Sequence, residues 1–340
     1  MPSSTNQHRD WPPLTDPDVT VLTVWHNRQP FVASSIASLL NQDYPKLTIV
    51  AVDDGSTDGT LEALRAFHDS RLEVRTQSNR GFTASLQQHI PATSGEVIAI
   101  HGAGDISLPT RISTQVAVLE KNPDVGFVGS WYVDVDTNGT NTLKQPRLTG
   151  DAYKTLLKRN PFSHGTLVLR RDVIARAGGY RSEFTYAQDR DLLMRMSLIV
   201  RGRVIEEPLY HRLLLPDGVA TVREKRLLQR AFAALAVDCG RQRAQIGFDT
   251  VDRFGTGALA FRPRSPMVSN WLAQFALRAI VAHDYDGAAY FSRLALDERW
   301  NARNAALACV SWLARRSPRA RRTLDWLRSA NASRQKVRPG

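Results

Sequence analysis

The sequence has little cysteine and no long apolar run. Cys239 and Cys309 are the only cysteines among 340 residues, which excludes a disulfide framework and a four-thiolate zinc site and is typical of a reducing compartment. No stretch reaches the roughly 18 apolar residues that a membrane-spanning helix needs. Residues 1–18 are polar and rich in proline, without the apolar core of a signal peptide, so we expect a disordered lead-in and a cytoplasmic protein.

Positive charge is concentrated in the last third of the chain. The formal net charge is +12, but residues 1–221 contain 23 Lys/Arg and 24 Asp/Glu, whereas residues 222–340 contain 22 and 9. The basic character therefore belongs to the C-terminal part. Polyanions, anionic lipids and anionic carriers are candidate partners for that part of the chain.

Strand and helix patterns alternate through the first 120 residues. Apolar runs and helical stripes recur about every 25 residues, which predicts right-handed βαβ units on a parallel sheet. Beyond Asn122 the pattern becomes mixed. Strands are predicted at 125–135 and 164–170, joined by a long polar segment at 136–160, and they are followed by a helix at 189–200 and by strands at 203–205 and 209–215. This order predicts a nucleotide-binding half followed by an acceptor half within one domain.

The chain length allows one large domain and a smaller one. We expect the large domain at 19–225 and a connector at 226–268, where Pro, Gly and Arg occur with little periodicity. A basic helical subdomain is expected at 269–330 and a disordered tail at 331–340.

The most informative stretch ends the second predicted strand. Four apolar residues, Ile49 to Val52, run into Asp53 and Asp54 and then into a Gly-Ser-Thr turn. Open α/β sheets bind ligands at the carboxyl ends of their strands. Acids there suit a donor-rich partner such as a nucleobase edge, a ribose diol or a metal ion, whereas a bare phosphate favours backbone N–H groups. An ordinary polar turn that caps the next helix is the alternative.

Seven short motifs in this order resemble the family 2 glycosyltransferases of the GT-A fold, over about residues 19–215. They are Val52-Asp53-Asp54-Gly55-Ser56-Thr57-Asp58, Asn79-Arg80-Gly81, Gly95-Glu96, Asp105-Ile106-Ser107-Leu108-Pro109, His164-Gly165-Thr166, Gly178-Gly179-Tyr180 and Gln188-Asp189-Arg190-Asp191-Leu192. The resemblance implies a Rossmann-like α/β transferase domain, here with a C-terminal α-helical subdomain. It also implies transfer of a sugar from a nucleotide-diphosphate donor to an acceptor hydroxyl, with inversion at the anomeric carbon, in polysaccharide or glycoconjugate assembly.

On this resemblance, five residues bind the donor. Asp54 would accept the imide N–H of a uracil-like base, which favours UDP, and Asp53 would support the turn or reach the ribose. His26 stands where the family often has an aromatic ring against the base. Arg80 would touch the base or a phosphate, and Asp105 would lie at the diphosphate. For Asp53, Asp54 and His26 a structural role is the alternative, and for Arg80 a solvated position.

Inverting transfer needs a general base that takes the acceptor's proton, an effect of about 10²–10⁴-fold. Asp189 matches the Asp of the family's Glu-Asp motif and is expected to be this base, with Gln188 in place of the Glu. Asp191 is the second candidate. Capping of the helix they open is the alternative for both acids. His164 and Tyr180 are expected on the acceptor side, as a hydrogen-bonding group and as a ring packed beneath the acceptor loop.

The expected metal site departs from the family's pattern. The family usually has an Asp-x-Asp-Asp run after the fourth strand, whereas this chain has Gly102-Ala103-Gly104-Asp105. Mg²⁺ or Mn²⁺ normally neutralises charge on the leaving diphosphate and prefers carboxylate oxygens. Because Gly102 and Gly104 replace two acids, we expect weak use of a divalent cation, with Asp105 and His211 as the remaining candidate ligands. Three outcomes stay open: fewer protein ligands, replacement of the ion by cationic side chains, or loss of catalysis.

In the segment 312–328, six arginines lie among two tryptophans and three leucines. Such an amphipathic pattern suits a helix lying on an anionic membrane, so we expect peripheral attachment at the inner face, close to a glycan or lipid-linked acceptor. A self-packed subdomain or a homo-oligomer contact is the alternative. No motif that reads nucleic acid is present, so no specific nucleic-acid partner is expected.

Two other functions compete with glycosyl transfer. The first is a non-catalytic protein that binds nucleotide sugars, or acts as a scaffold, after losing the metal-binding acids. The second is a basic protein that associates with membranes or nucleic acid and uses the α/β half only as a platform.

Overall fold

A computed structural model describes residues 11–218, 222–261 and 264–323. The chain divides into two compact units between Ala260 and Phe261. The first unit is a mixed α/β sheet covered by helices, and the second is helical, which confirms the predicted fold class. None of the described helices is long and apolar enough to cross a membrane.

The first half of the sheet has the predicted alternation of strands and helices. Its elements are β1 (Val19–Trp25), α1 (Gln29–Leu40), β2 (Leu47–Asp54), α2 (Thr60–Arg65), β3 (Leu72–Gln77), α3 (Phe82–His89) and β4 (Val97–Gly102). β1 pairs in parallel with β2 and β4, and β2 pairs in parallel with β3. Parallel pairing brings the carboxyl ends of these strands to one edge of the sheet, where the acids of β2 lie.

The second half of the first unit is mixed, as the change of pattern after Asn122 predicts. Its elements are β5 (Ile106–Ser107), α4 (Arg111–Lys121), β6 (Val125–Asp136), β7 (Asn141–Lys144), α5 (Ala152–Lys158), β8 (Val168–Arg170), α6 (Arg171–Arg176), α7 (Gln188–Met196) and β9 (Arg201–Leu214). The strand order is β3-β2-β1-β4-β8-β6-β9-β5, with β7 on β6. The antiparallel pair β4–β8 joins the two halves into one sheet.

Two strand predictions need adjustment. The segment predicted as a strand at 164–170 begins as a 3₁₀ turn, His164–Thr166, because Thr166 bonds back to Ser163 through both its N–H and its hydroxyl. The two strands predicted at 203–205 and 209–215 form the single strand β9.

Alternation along the central strands builds an apolar layer on each face of the sheet. Leu22, Val50 and Ile98 face one layer, which includes side chains of α3, α5, α6 and α7. Val21, Ile49 and Ala99 face the other layer, which includes α1, α2 and α4. A slip of one residue would exchange the two sets, so packing on both faces fixes the strand register. That register also fixes which side chains reach the carboxyl edge.

The disorder predicted for residues 1–18 is wrong for residues 11–18. Trp11 and Leu14 are buried in the two apolar layers, and the guanidinium of Arg176 lies 5.4 Å from the Trp11 ring centroid. These partners are distant in sequence, which is why a proline-rich segment gave no local sign of order. Residues 1–10 lie outside the described residues.

The connector predicted at 226–268 is also wrong, because most of this segment is helical. It contains α8 (Arg223–Ile246) and α9 (Thr250–Phe254). Phe232, Leu235 and Cys239 form a buried stripe on α8, and Gly240 lies directly against Met194 of α7. This helix was not predicted because its apolar stripe is short and is flanked by basic and polar residues.

The second unit has the helices that the sequence predicts. They are α10 (Pro266–Val281), α11 (Tyr285–Glu298) and α12 (Ala302–Arg316). Each begins with a side-chain cap, from Ser265, Asp284 and Asn301 respectively. The predicted segments 324–330 and 331–340 lie outside the described residues.

Candidate active site

The carboxyl ends of β1, β2 and β3 bring three loops into contact. Asn27, after β1, accepts the N–H of Thr57 at 2.8 Å through its side-chain oxygen. Its own N–H donates to the Ser56 hydroxyl at 3.0 Å. Gly55 has φ +72°, and a Cβ there would lie 2.7 Å from the backbone nitrogen of Asn79. Only glycine therefore allows the β2–α2 turn to pack against the loop after β3.

Asp54 anchors the loop that follows β3. Its carboxylate is buried, and Oδ1 accepts the N–H of Arg80 at 2.9 Å and the side-chain amide of Gln77 at 2.8 Å. Oδ2 accepts the N–H of Gly81 at 2.8 Å. A carboxylate has about four acceptor positions, so three of those on Asp54 are used within the protein. The predicted contact with a base is therefore limited to the remaining position on Oδ2.

Asp53 is less well satisfied than Asp54. Its Oδ2 accepts the N–H of Ser56 at 3.3 Å and the hydroxyl of Thr76 at 3.5 Å. Its Oδ1 is buried and has no hydrogen-bond partner within the described residues. An unsatisfied buried acceptor costs about 1–3 kcal/mol. Asp53 is thus the acid of the pair that still lacks a donor.

His26 and Arg80 flank this pair of acids. The Nδ1 of His26 lies 3.0 Å from the carbonyl oxygen of Asp54, and the Asn79 side-chain amide lies 3.2 Å from the same ring. Arg80 is exposed, and its guanidinium bonds to Gln88 on α3. The position of Arg80 matches the solvated alternative, while His26 stands at the edge that the sequence predicts for a base.

The loop held by Asp54 continues directly into contact with the second half of the unit. Phe82, the first residue of α3, packs edge-to-face on His164 with ring centroids 5.4 Å apart. The hydroxyl of the next residue, Thr83, donates to the carbonyl of Phe184 at 2.9 Å. The predicted donor side and the predicted acceptor side therefore share one wall, which we call the Phe82–His164 wall.

His164 and Tyr180 lie together on this wall. The Nε2 of His164 is 2.8 Å from the Tyr180 hydroxyl, and its Nδ1 is 3.4 Å from the side-chain nitrogen of Gln188. Burial lowers the pKa of His164, against the opposing charge of Asp189, and burial raises the pKa of Tyr180. This pattern fits a neutral imidazole that donates from Nε2–H to the Tyr180 oxygen.

Asp189 lies next to Gln188 in the first turn of α7 and is half-buried. Its Oδ2 accepts the side-chain N–H of Asn160 at 2.8 Å. The Asn160 oxygen accepts the N–H of Phe162 at 3.1 Å, so the orientation of the Asn160 amide is determined. The described residues offer no hydrogen bond to Oδ1 of Asp189. Among the described residues, Oδ1 is therefore the oxygen of this carboxylate that has an unused acceptor position.

Asp191 does not fit the role of an alternative base, which corrects that prediction. Its side chain is 2% exposed, and both carboxylate oxygens are ion-paired, with Arg181 and, at 2.7 Å, with Arg195. Arg181 also pairs with Asp249 at 2.9 Å. Asp191 therefore belongs to a buried ionic cluster that joins α7 to the segment before α9. Two guanidinium groups occupy the positions that an acceptor would need.

Asp105 is also engaged within the protein. Its Oδ2 accepts the Tyr210 hydroxyl at 2.7 Å, and its Oδ1 accepts the N–H of Leu213 at 2.8 Å. A Cβ at Gly102 would overlap the Asp105 carboxylate, so glycine at 102 is what allows Asp105 to fold back. Burial raises the pKa of Asp105 to about 6, although the Tyr210 hydrogen bond opposes the rise.

These residues do not fit an ordinary divalent-cation site. No group of three or more His, Cys, Asp or Glu side chains converges anywhere in the part of the chain that the structure describes. His211 pairs with Ile106 in the sheet, and its neighbour Tyr210 is the residue that reaches Asp105. Hard cations need several oxygen ligands, and a single carboxylate with both oxygens already bonded does not provide them.

Sequence reasoning assigned no role of their own to Asn160, Asn79 and Tyr210, although Asn79 stands in one of the seven motifs. Asn160 ends a long polar segment, and its only signal is the Asn-Pro pair, which marks a turn. Tyr210 is fully buried in β9 and reads as an ordinary core residue. Their roles depend on partners that are distant in the chain.

The first unit joins a parallel half with acids at its carboxyl edge to a mixed half that carries a half-buried carboxylate, and this α/β architecture matches solved transferases of the GT-A fold. The mannosyltransferase PcManGT from Pyrobaculum calidifontis, solved with GDP-Man and Mn²⁺, matches with a TM-score of 0.50 at 22% identity. The match covers 93% of this chain and 86% of that chain. At this identity the likeness shows the fold alone.

The model of the family described as "Glycosyl transferase family 2" matches residues 20–178. EpsE of Bacillus subtilis (strain 168), named as a glycosyltransferase, is 31% identical over 202 residues, which are 57% of this chain and 72% of EpsE. The amylovoran biosynthesis glycosyltransferase AmsE of Erwinia amylovora is 28% identical over 165 residues, which are 47% of this chain and 62% of AmsE. The chain belongs to glycosyl transferase family 2.

Proposed function

We propose that the chain is an inverting glycosyltransferase that moves a sugar from a nucleotide-diphosphate donor, with UDP favoured, to a hydroxyl of a glycan or lipid-linked acceptor. This proposal is based on the Phe82–His164 wall. The loop that Asp54 anchors leads into Phe82, which contacts His164, and His164 in turn contacts Gln188 beside Asp189. A donor held at the β2 acids and a base on α7 would thus face one cleft.

In this proposal, Asp189 is the general base. Its Oδ1 takes the proton of the acceptor hydroxyl while the hydroxyl oxygen attacks the anomeric carbon. The bond from that carbon to the diphosphate breaks, and the nucleotide diphosphate leaves on the opposite face with the electron pair. The Asn160 amide holds Oδ2 at 2.8 Å, so the free oxygen of the carboxylate is defined before the acceptor binds.

The name of AmsE supports polysaccharide assembly as the setting, because that relative is named for amylovoran biosynthesis.

The second candidate function is a nucleotide-sugar-binding protein without turnover. The observation that favours it is the Gly102-Ala103-Gly104 sequence, which removes the acids that normally serve the leaving diphosphate. Calorimetric titration with UDP, GDP, dTDP and their sugars, followed by an assay for release of the nucleotide diphosphate, separates the two. Binding with release supports the enzyme, binding alone supports the second candidate, and no binding contradicts both.

Asp54→Asn is expected to weaken nucleotide binding about tenfold or more. An amide keeps the size of the carboxylate, but it has no charge and only one acceptor oxygen, so it cannot accept the N–H groups of both Arg80 and Gly81. Hydrogen bonds to a charged group are worth about 1.5–3 kcal/mol each. The measurement is the Kd for the nucleotide found to bind wild-type protein. Asp69→Asn is a matched control, because the Asp69 carboxylate bonds to Arg71 and to no other described residue, away from the cleft. An unchanged Kd in Asp54→Asn would show that the loop after β3, which Asp54 anchors, is not part of the donor site.

Nucleotide binding is expected to depend little on a divalent cation. The Kd for the nucleotide should differ by less than about threefold between EDTA and Mn²⁺, because the residues around Asp105 do not form a set of oxygen ligands for such an ion. Binding that tightens more than about tenfold on addition of Mn²⁺, and that Asp105→Asn abolishes, would show that Asp105 leaves its partners to hold the ion.

A further inference from the structure

The second unit carries an apolar groove between α11 and α12. Its volume is about 690 Å³. The apolar residues that line it, which define the α11–α12 groove, are Ala289, Tyr290, Leu296, Ala308, Cys309, Trp312 and Leu313. The opposite sides of both helices supply the core of the unit, through buried residues such as Phe291 and Leu307. The groove is therefore a second apolar face on helices whose core-facing sides are already covered.

The large side chains of this groove are strongly exposed. Tyr290 is 56% exposed, and Trp312 and Leu313 are each 49% exposed. Trp300, in the turn between the two helices, is 78% exposed. Single exposed apolar residues are common, but several large ones around one groove mark an interaction surface.

Arginine is the main charged residue of the unit that carries the groove, and three arginines lie at the groove itself. Residues 264–323 contain ten arginines, no lysine and four acids. Arg293 and Arg315 line the groove itself, and the guanidinium of Arg316 lies 4.5 Å from the Trp312 ring centroid. Arg315 pairs with Asp286 at 2.6 Å, but both side chains are mostly exposed, so this pair neutralises little of the surrounding charge.

We propose that the α11–α12 groove is a docking surface for an anionic lipid bilayer. Tryptophan and tyrosine place an apolar ring and a polar edge at the boundary between water and acyl chains. Arginine extends its apolar stem along the same surface and keeps its charge among the headgroups. A second copy of the chain would bring two arginine-rich faces together, which charge repulsion opposes. An anionic membrane matches both the apolar groove and the charge around it.

This surface differs from the sequence prediction in its composition. The prediction placed the membrane contact on residues 312–328, of which 324–328 lie outside the described residues. The groove uses the part from Trp312 to Arg316 and adds α11, with Tyr290 and Arg293, which the sequence did not single out. The proposal concerns lipid binding and does not depend on sugar transfer.

The test is flotation of the full chain with vesicles of phosphatidylcholine alone or mixed with phosphatidylglycerol. We expect flotation only with the anionic vesicles, decreasing as salt is raised because the Debye length shortens. The double variant Trp312→Ser/Leu313→Ser should reduce the bound fraction about tenfold, since partitioning depends on apolar side chains at the interface. Arg293→Gln/Arg316→Gln, which leaves the groove apolar, should also reduce it.

Two control variants match these changes on the first unit. Ile246→Ser/Phe248→Ser removes two exposed apolar residues, and Arg65→Gln/Arg203→Gln removes two exposed arginines. Both controls should float like wild type. Equal flotation of all variants, or equal flotation with neutral vesicles, would overturn the proposal. So would a dimer, measured by light scattering, that the groove variant abolishes, or salt-sensitive binding to duplex nucleic acid with none to vesicles.

Discussion

Asp189→Asn is expected to lower the turnover number about 100-fold or more while leaving nucleotide affinity unchanged. Asparagine keeps the shape of the side chain and can still accept the hydrogen bond from Asn160. It cannot take a proton, so only the step that needs a base is removed. Steady-state release of the nucleotide diphosphate measures turnover, and calorimetry with the same nucleotide measures affinity.

A matched control for Asp189 exists on the preceding helix. Asp172 is the second residue of α6, as Asp189 is the second residue of α7. Asp172 pairs with Arg170 outside the Phe82–His164 wall, so Asp172→Asn should leave turnover unchanged. Full activity in Asp189→Asn would show that another group takes the proton. Loss of nucleotide affinity together with turnover would instead place Asp189 in the donor site.

Asp191→Ala should lower the free energy of unfolding by about 3–5 kcal/mol, because it leaves two buried guanidinium groups without their shared carboxylate. Arg181 keeps Asp249 as a partner, whereas the described residues offer Arg195 no other acid. Chemical denaturation gives the change in stability. The effect is on the fold, so any residual folded protein should bind nucleotide as wild type does.

An exposed ion pair of the same unit is the control for Asp191. Asp217 pairs with Arg28 at 2.8 Å, and the Asp217 side chain is 60% exposed. Asp217→Ala should change stability by no more than about 1 kcal/mol. If Asp191→Ala were as mild as this control, the buried ionic cluster would not be holding α7 to the segment before α9, and Asp191 would return as a candidate base.

Asp189 and Asp191 show which features of the site can be predicted from the sequence and which cannot. Residues two positions apart on a helix point in different directions, so spacing alone predicts that only one of these acids can face a given cleft. The choice between them depends on Arg181, Arg195 and Asn160, which come from three different places in the chain. The sequence predicts Asp189 as the base from a family resemblance, and its partners in space add a physical argument to what stays a prediction.

The predicted parts of the fold are those with local causes. The apolar run before Asp53 and the helical stripes up to residue 120 determine their elements by periodicity, and these predictions are confirmed. The errors fall where order depends on distant partners: Trp11 on Arg176, and α8 on Met194. Asp53 and Asp54 illustrate the same limit inside the site, because only the structure shows which acid already has its hydrogen-bond donors.

The close approach of Gly102 to Asp105 has a consequence for how this chain can vary. Any side chain at position 102 would overlap the Asp105 carboxylate, so an acid cannot be restored there by one substitution while residue 105 keeps its bonds to Tyr210 and Leu213. Positions 102 and 105 are therefore epistatic. Mutational libraries that vary them jointly will recover sequences that one-at-a-time scanning discards.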